Sequence, residues 1–195
     1  MKFYESGDNR KPVIFLFPGT CCLYSSFDHV LDGLHSYFYT VTVSYDGFDP
    51  NEKTEFYSME DECEKIEQEI RKKYGGRIYL VAKIQSSMVV PFMYKMVHTG
   101  TLPKFMQKKL DKTDGGKKEL YNGFFNMFGI GKGGSPWITK QSIYNQFYSD
   151  LVTKVQHGID VPGTTIHVFY ATKMGEKYEK RYCTYFKNPD IRKHN

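Results

Sequence analysis

Lys11 to Cys22 reads KPVIFLFPGTCC, an apolar, β-prone run that ends abruptly in the Pro18-Gly19 bend. Four to eight apolar residues bounded by turn residues suit a strand buried on both faces. A bend at the carboxyl end of such a strand is where parallel sheets bind ligands. Working outward, Met1 to Glu5 is a second short run, and Ser6-Gly7-Asp8-Asn9 between the two is a turn set, so the pair predicts a hairpin at a sheet edge. Thr40 to Tyr45 (TVTVSY) and Arg77 to Ala82 (RIYLVA) are further strands of the doubly buried kind.

The segments between these strands have helical spacing. Phe27 to Tyr37 places apolar residues at 27, 30, 31, 34 and 37. Ser58-Met59-Glu60-Asp61 is a capping box that starts a helix whose apolar face is Met59, Cys63, Ile66, Ile70 and Tyr74, with Gly75-Gly76 as a left-handed stop. Strand, helix, strand is the parallel crossover unit, so the fold class is α/β, a mostly parallel sheet flanked by helices. From Lys83 to Asp160 the periodicity is helical throughout, including TKQSIYNQFYSDLV, and this stretch is expected to be a helical insertion. The core is then 1–82 with 161–195, and 83–160 the insertion. After the turn Val161-Pro162-Gly163, a strand is expected over Thr164 to Ala171 and a helix over Glu176 to Phe186, with no closing element behind it.

Composition narrows the class. The 195 residues carry 27 Lys+Arg against 22 Asp+Glu, and 40% are hydrophobic and 16% aromatic, enough to build a core and to exclude a disordered or low-complexity chain. Basic and acidic residues are interleaved up to Lys104, which argues against a nucleic-acid partner. The opening residues lack a secretory pattern and no run reaches the ~18 apolar residues of a membrane span, so a cytoplasmic protein without stable membrane insertion is expected. Cys21, Cys22, Cys63 and Cys183 fit neither a disulfide framework nor metal knuckles and read as reduced thiols. Six scattered histidines imply no metal, and no cofactor is expected. Gly129-Ile130-Gly131-Lys132-Gly133-Gly134 satisfies G-x-G-x-x-G but follows a helical segment and reads as a loop. Lys104 to Lys118 reads as a solvated basic helix face.

Two bends carry chemistry. In Phe17-Pro18-Gly19-Thr20-Cys21-Cys22, Gly19 turns the backbone so that the amide of Thr20 points into a cleft, as an oxyanion donor must; the same segment also reads as a plain strand-to-helix turn. Ser44-Tyr45-Asp46-Gly47-Phe48-Asp49 follows the next strand in the same manner. Taken in order, these elements resemble the amino-terminal half of the α/β-hydrolase superfamily. They are closest to small bacterial hydrolases with a helical cap, whose motifs are matched by FPGTCC, SYDGFD and FYATKMGEKY in this chain.

The resemblance implies a serine hydrolase acting by acyl transfer on a small-molecule ester, thioester or amide, with Gly19 and Thr20 at the oxyanion and Cys21, Phe92 and Trp137 lining the substrate site under the cap. It also implies a nucleophile elbow, G-x-S-x-G, after RIYLVA. The sequence has instead Lys83-Ile84-Gln85-Ser86-Ser87: direct alignment places Ile84 at the nucleophile, flanked by Ala82 and Ser86, and the two serines read as helix caps. The sequence reads as though a stretch carrying the elbow, its helix and a strand were absent near Val81 to Lys83. An intact peptide link there implies a true deletion and a pseudo-hydrolase that binds a ligand or a protein. Glu176 is the acid nearest the expected position after the 164–171 strand. His194 is the sole histidine behind it; the family's histidine falls slightly farther on.

Overall fold

A four-stranded sheet forms from Lys2–Ser6 (β1), Val13–Phe17 (β2), Tyr39–Ser44 (β3) and Ile78–Ala82 (β4), in the order β1-β3-β2-β4. The computed structural model describes residues 1–75, 78–82, 137–154, 156–172 and 175–194. They divide into two units, Met1–Val152 and Thr153–Asn195.

In the first unit β2 runs parallel to both β3 and β4, with Val13 opposite Tyr39 and Ile78, and Phe17 opposite Ala82. The expected β1–β2 hairpin is not formed. β1 instead pairs antiparallel with β3, Lys2 opposite Ser44 and Ser6 opposite Thr40. The turn at Gly7 is real, with φ of 95° and Lys11 N–H donating to the Asp8 carbonyl. The chain uses it to step past the slot that β3 later fills. Burial explains the choice: Thr40, Val41, Thr42, Val43 and Ser44 are all buried, which requires a neighbour on each side and cover on each face, whereas β1 is half-exposed as an edge strand is. β4 departs from the doubly buried expectation in the other direction. It is the edge of the sheet among the described residues, and Tyr79, Leu80 and Val81 are exposed.

Two helices make the crossovers. A 3-10 turn at Tyr24–Phe27 leads into Asp28–His35 (α1), and Met59–Lys73 (α2) follows β3. Ser58 Oγ accepts the Asp61 amide at 3.2 Å, the expected cap, but the Asp61 carboxylate turns outward to Lys65 rather than back to the cap. The inward face of α2 is Met59, Glu62, Ile66 and Ile70; Cys63 is exposed. The helix stops at Tyr74, whose amide bonds Ile70 and whose ring meets Phe15 edge-on at 5.2 Å; Gly75 does not take the left-handed backbone. All four cysteines are free.

Lys140–Val152 (α3) is helical as expected and packs into the core of this unit, where Ile143 and Phe147 join Phe15, Val41, Val43, Phe48 and Phe56. Each such side chain contributes roughly 1.5–3 kcal/mol by leaving water. The remainder of the expected cap before Trp137, with Phe92, Ser86, Ser87, the basic stretch and the glycine loop, lies outside the described residues, as does the link from Ala82 to Lys83.

The second unit is His167–Ala171 (β5), Glu176–Tyr185 (α4) and Asp190–His194 (β6) around Val168 and Tyr182. The Val161-Pro162-Gly163 turn precedes it, with Thr164 N–H on the Val161 carbonyl and Gly163 at φ of 75°. β6 corrects the expectation that nothing closes the chain. It pairs parallel with β5, His167 opposite Asp190 and Ala171 opposite His194. Its sequence, DIRKH, has no apolar alternation because only Asp190 and Ile191 are half-buried; the strand is held by its backbone.

Candidate active site at the carboxyl end of the parallel strands

β2 ends at Phe17, and the Pro-Gly bend brings Cys22 N–H back onto the Gly19 carbonyl at 2.9 Å. Closing that turn forces Cys21 to φ of 57°, a left-handed conformation that costs a residue with a side chain about 1–3 kcal/mol. Two side chains of α3 meet the loop at this point. Cys21 N–H donates to Oε1 of Gln146 at 2.6 Å, and Thr20 Oγ1 donates to Oδ2 of Asp150 at 2.6 Å. Gln146 and Asp150 are four residues apart and so share a helix face. Gln146 is 1% exposed. Burial pushes the Asp150 carboxyl above its ordinary range, against the opposing pull of the Thr20 hydroxyl. Burial also pushes the Cys21 thiol well up, helped by Asp150 and Cys22, so this thiol is a packed side chain and not a nucleophile at neutral pH.

The loop after β3 is built on the same helix. Gly47 is left-handed (φ 78°) and Phe48 N–H bonds the Tyr45 carbonyl. Ser142 Oγ accepts the Phe56 amide at 3.1 Å, Ser149 Oγ the Met59 amide at 3.3 Å, and Asn145 Nδ2 donates to the Phe56 carbonyl at 2.8 Å. α3 therefore satisfies backbone groups in the loops behind both β2 and β3. Beneath the second loop, Asp46, Asp61 and Glu62 each bring a carboxylate oxygen within 4.8 Å of the others. Lys65 Nζ sits among them, 2.5 Å from Asp46 and 3.4 Å from Glu62 and also bonded to Asp61, while the Met1 amino group bonds Asp46. The Asp46 amide donates to Glu62 at 3.1 Å. Two cations fill the space, so the cluster is an ion-pair network that ties α2 to the end of β3.

Gly19, Thr20 and Cys21 thus lie together at the end of β2. Trp137 packs against the core of the same unit, and its indole N–H is buried without a hydrogen-bond partner among the described residues. Glu176 opens α4 and is exposed; His194 ends β6, exposed, its ring 6.1 Å from that of Phe169. Among the described residues no hydrogen bond joins Glu176 to His194. His167 Nδ1 lies 2.7 Å from Asp190, a surface hydrogen bond across the two strands, and Arg192 pairs with the same carboxylate. Sequence reasoning passed over Gln146 and Asp150. The available signal was a set of polar residues, 142, 146, 149 and 150, spaced by three and four on the same helix as Ile143 and Phe147.

No protein-family model matches the sequence, and no curated protein does. Solved structures match over nearly the whole chain. An α/β hydrolase family protein from Desulfitobacterium hafniense superimposes with a TM-score of 0.61 at 11% identity, covering 98% of this chain and 90% of that one. A marine microorganism esterase does so at 0.59 and 15%, covering 99% and 90%, and the type II thioesterase BorB from the borrelidin biosynthetic cluster at 0.55 and 9%, covering 98% and 88%. At such identities the likeness is one of fold.

Proposed function

We propose that this chain, which has the α/β-hydrolase fold, is a serine hydrolase that cleaves an ester, thioester or amide of a small or lipophilic substrate by acyl transfer. The observation that carries the reading is the Pro18–Cys22 loop: a left-handed, hydrogen-bonded bend at the carboxyl end of β2, next to β4, where this fold holds an acyl oxyanion. In the reaction the serine of the expected elbow, which this sequence lacks, adds to the substrate carbonyl and gives its proton to the family's histidine. The oxyanion that forms is held at Gly19 and Thr20. The histidine then returns the proton to the leaving group, and water releases the acyl group by the same path. Glu176 is the acid assigned to orient that histidine; His194 is the sole histidine behind the 164–171 strand, and the family's histidine falls slightly farther on. Residues 83–160 are assigned as the cap, with Phe92 and Trp137 as apolar lining.

The sequence after β4 favours a second reading, because Ile84 stands where the elbow serine aligns. Under it the protein is a pseudo-hydrolase that binds a ligand or a protein at the same loop. Labelling with a fluorophosphonate decides between the two. A hydrolase reacts at one serine, and Ser86→Ala or Ser87→Ala removes the label if either hydroxyl is that nucleophile. A folded chain that takes up no label, and turns over no p-nitrophenyl ester, is the binding protein instead.

A further inference from the structure

We propose that Gln146 and Asp150 of α3 are positioning residues that hold Thr20 and Cys21 in the backbone conformation the site requires. This assignment rests on reading the Pro18–Cys22 loop as the oxyanion loop. Neither residue touches substrate in this scheme; both act through the loop.

Cys21 is one of two residues other than glycine with positive φ among those described. Such a conformation persists only when its surroundings hold it. Here the holding groups are identifiable. The Cys21 amide is pinned by a carboxamide oxygen that is itself out of water, and the adjoining Thr20 hydroxyl by a carboxylate one helical turn further along. A polar amide taken out of water is costly unless its hydrogen bonds are made, and the buried Gln146, 1% exposed, finds such a partner in the Cys21 amide. The two bonds join residues 125 and 130 positions apart in the chain, and α3 is anchored independently through Ser142 and Ser149 on the loop behind β3. A helix fixed at the second loop thereby sets the geometry of the first. With Gln146 or Asp150 removed, the bend is free to relax toward ordinary backbone angles, and the Thr20 amide turns with it.

The test is amide hydrogen exchange by NMR on the full chain, read at Cys21, with the amides of Val41 and Val43 reporting that the sheet is intact. Gln146→Leu, of similar volume but without an acceptor, is expected to speed Cys21 exchange about tenfold or more, the equivalent of one lost hydrogen bond. Asp150→Asn keeps an acceptor for Thr20 and is expected to stay near wild type, whereas Asp150→Leu is expected to behave like Gln146→Leu. With a p-nitrophenyl ester, Gln146→Leu is expected to lower kcat by about tenfold or more while KM changes little, because an oxyanion donor acts in the transition state. Unchanged Cys21 exchange in Gln146→Leu with a protected sheet overturns the proposal, and so does an unchanged kcat in an active enzyme. If the wild type has no esterase activity but exchange at Cys21 rises as stated, the hydrolase reading fails and the clamp stands.

Discussion

At Gly47 the backbone is left-handed, and a Cβ built there would overlap Ser142 Oγ and come within 2.8 Å of the Phe56 amide nitrogen. The hydroxyl is the acceptor for that same amide, so it cannot step aside without leaving a buried N–H unpaired. Gly47→Ala is therefore expected to destabilise the protein by roughly 2–4 kcal/mol, from strain and overpacking together, as read by urea unfolding. A variant within a few tenths of wild type would mean that α3 does not press on this loop. The Asp46-Gly47 turn was legible in the sequence from its two residues alone. Its tightness was not, because the atom that enforces it comes from position 142. The same holds at Thr20 and Cys21, where the bend is a local matter and the groups that lock it, Gln146 and Asp150, arrive from the far side of the chain.

Among the elements, α2 shows how far local rules reach. Its cap, its acidic first turn of Glu60, Asp61 and Glu62 and its basic last turn of Arg71, Lys72 and Lys73 all favour a helix in these positions. Ser58→Ala is expected to cost about 1 kcal/mol in thermal or urea unfolding, with Ser58→Asp close to wild type. An equal loss in both variants would point to packing at Ser58 rather than capping. Helix starts and strand cores could be read because they depend on neighbours in sequence. Strand pairing could not: Ser6-Gly7-Asp8-Asn9 is a good turn, yet a turn does not state whether the next strand returns beside the first or leaves a slot. The slot is filled by β3, whose five consecutive buried residues demand two partners. β6 was missed for the opposite reason. DIRKH offers no apolar face to read, and its identity as a strand lies in hydrogen bonds to β5.

For the whole molecule, the ion network behind β3 makes stability depend on pH. Glu62 is fully buried, and burial pushes its carboxyl above the ordinary 4.5, with Lys65 opposing. Unfolded chains release this proton near the ordinary value, while the folded chain keeps it to higher pH. Between the two values the folded state binds more protons, so stability falls as pH rises through that window. The groups facing Glu62 include Lys65, Asp61, the Met1 amino group, and the carboxylate and amide of Asp46. Glu62→Gln retains an acceptor for that amide and carries no charge. It is expected to flatten the decline in melting temperature as pH rises above the ordinary carboxylate range and to be the more stable of the two at the upper end. Parallel profiles for the two proteins would show that the carboxylate is fully compensated by Lys65. The strand order has a further consequence for how the molecule is made. Lys2 finds its partner only at Ser44, so β1 waits for its neighbour until β2, α1 and β3 have been made. A nascent chain stalled short of that point carries an edge strand whose partner has not yet been made.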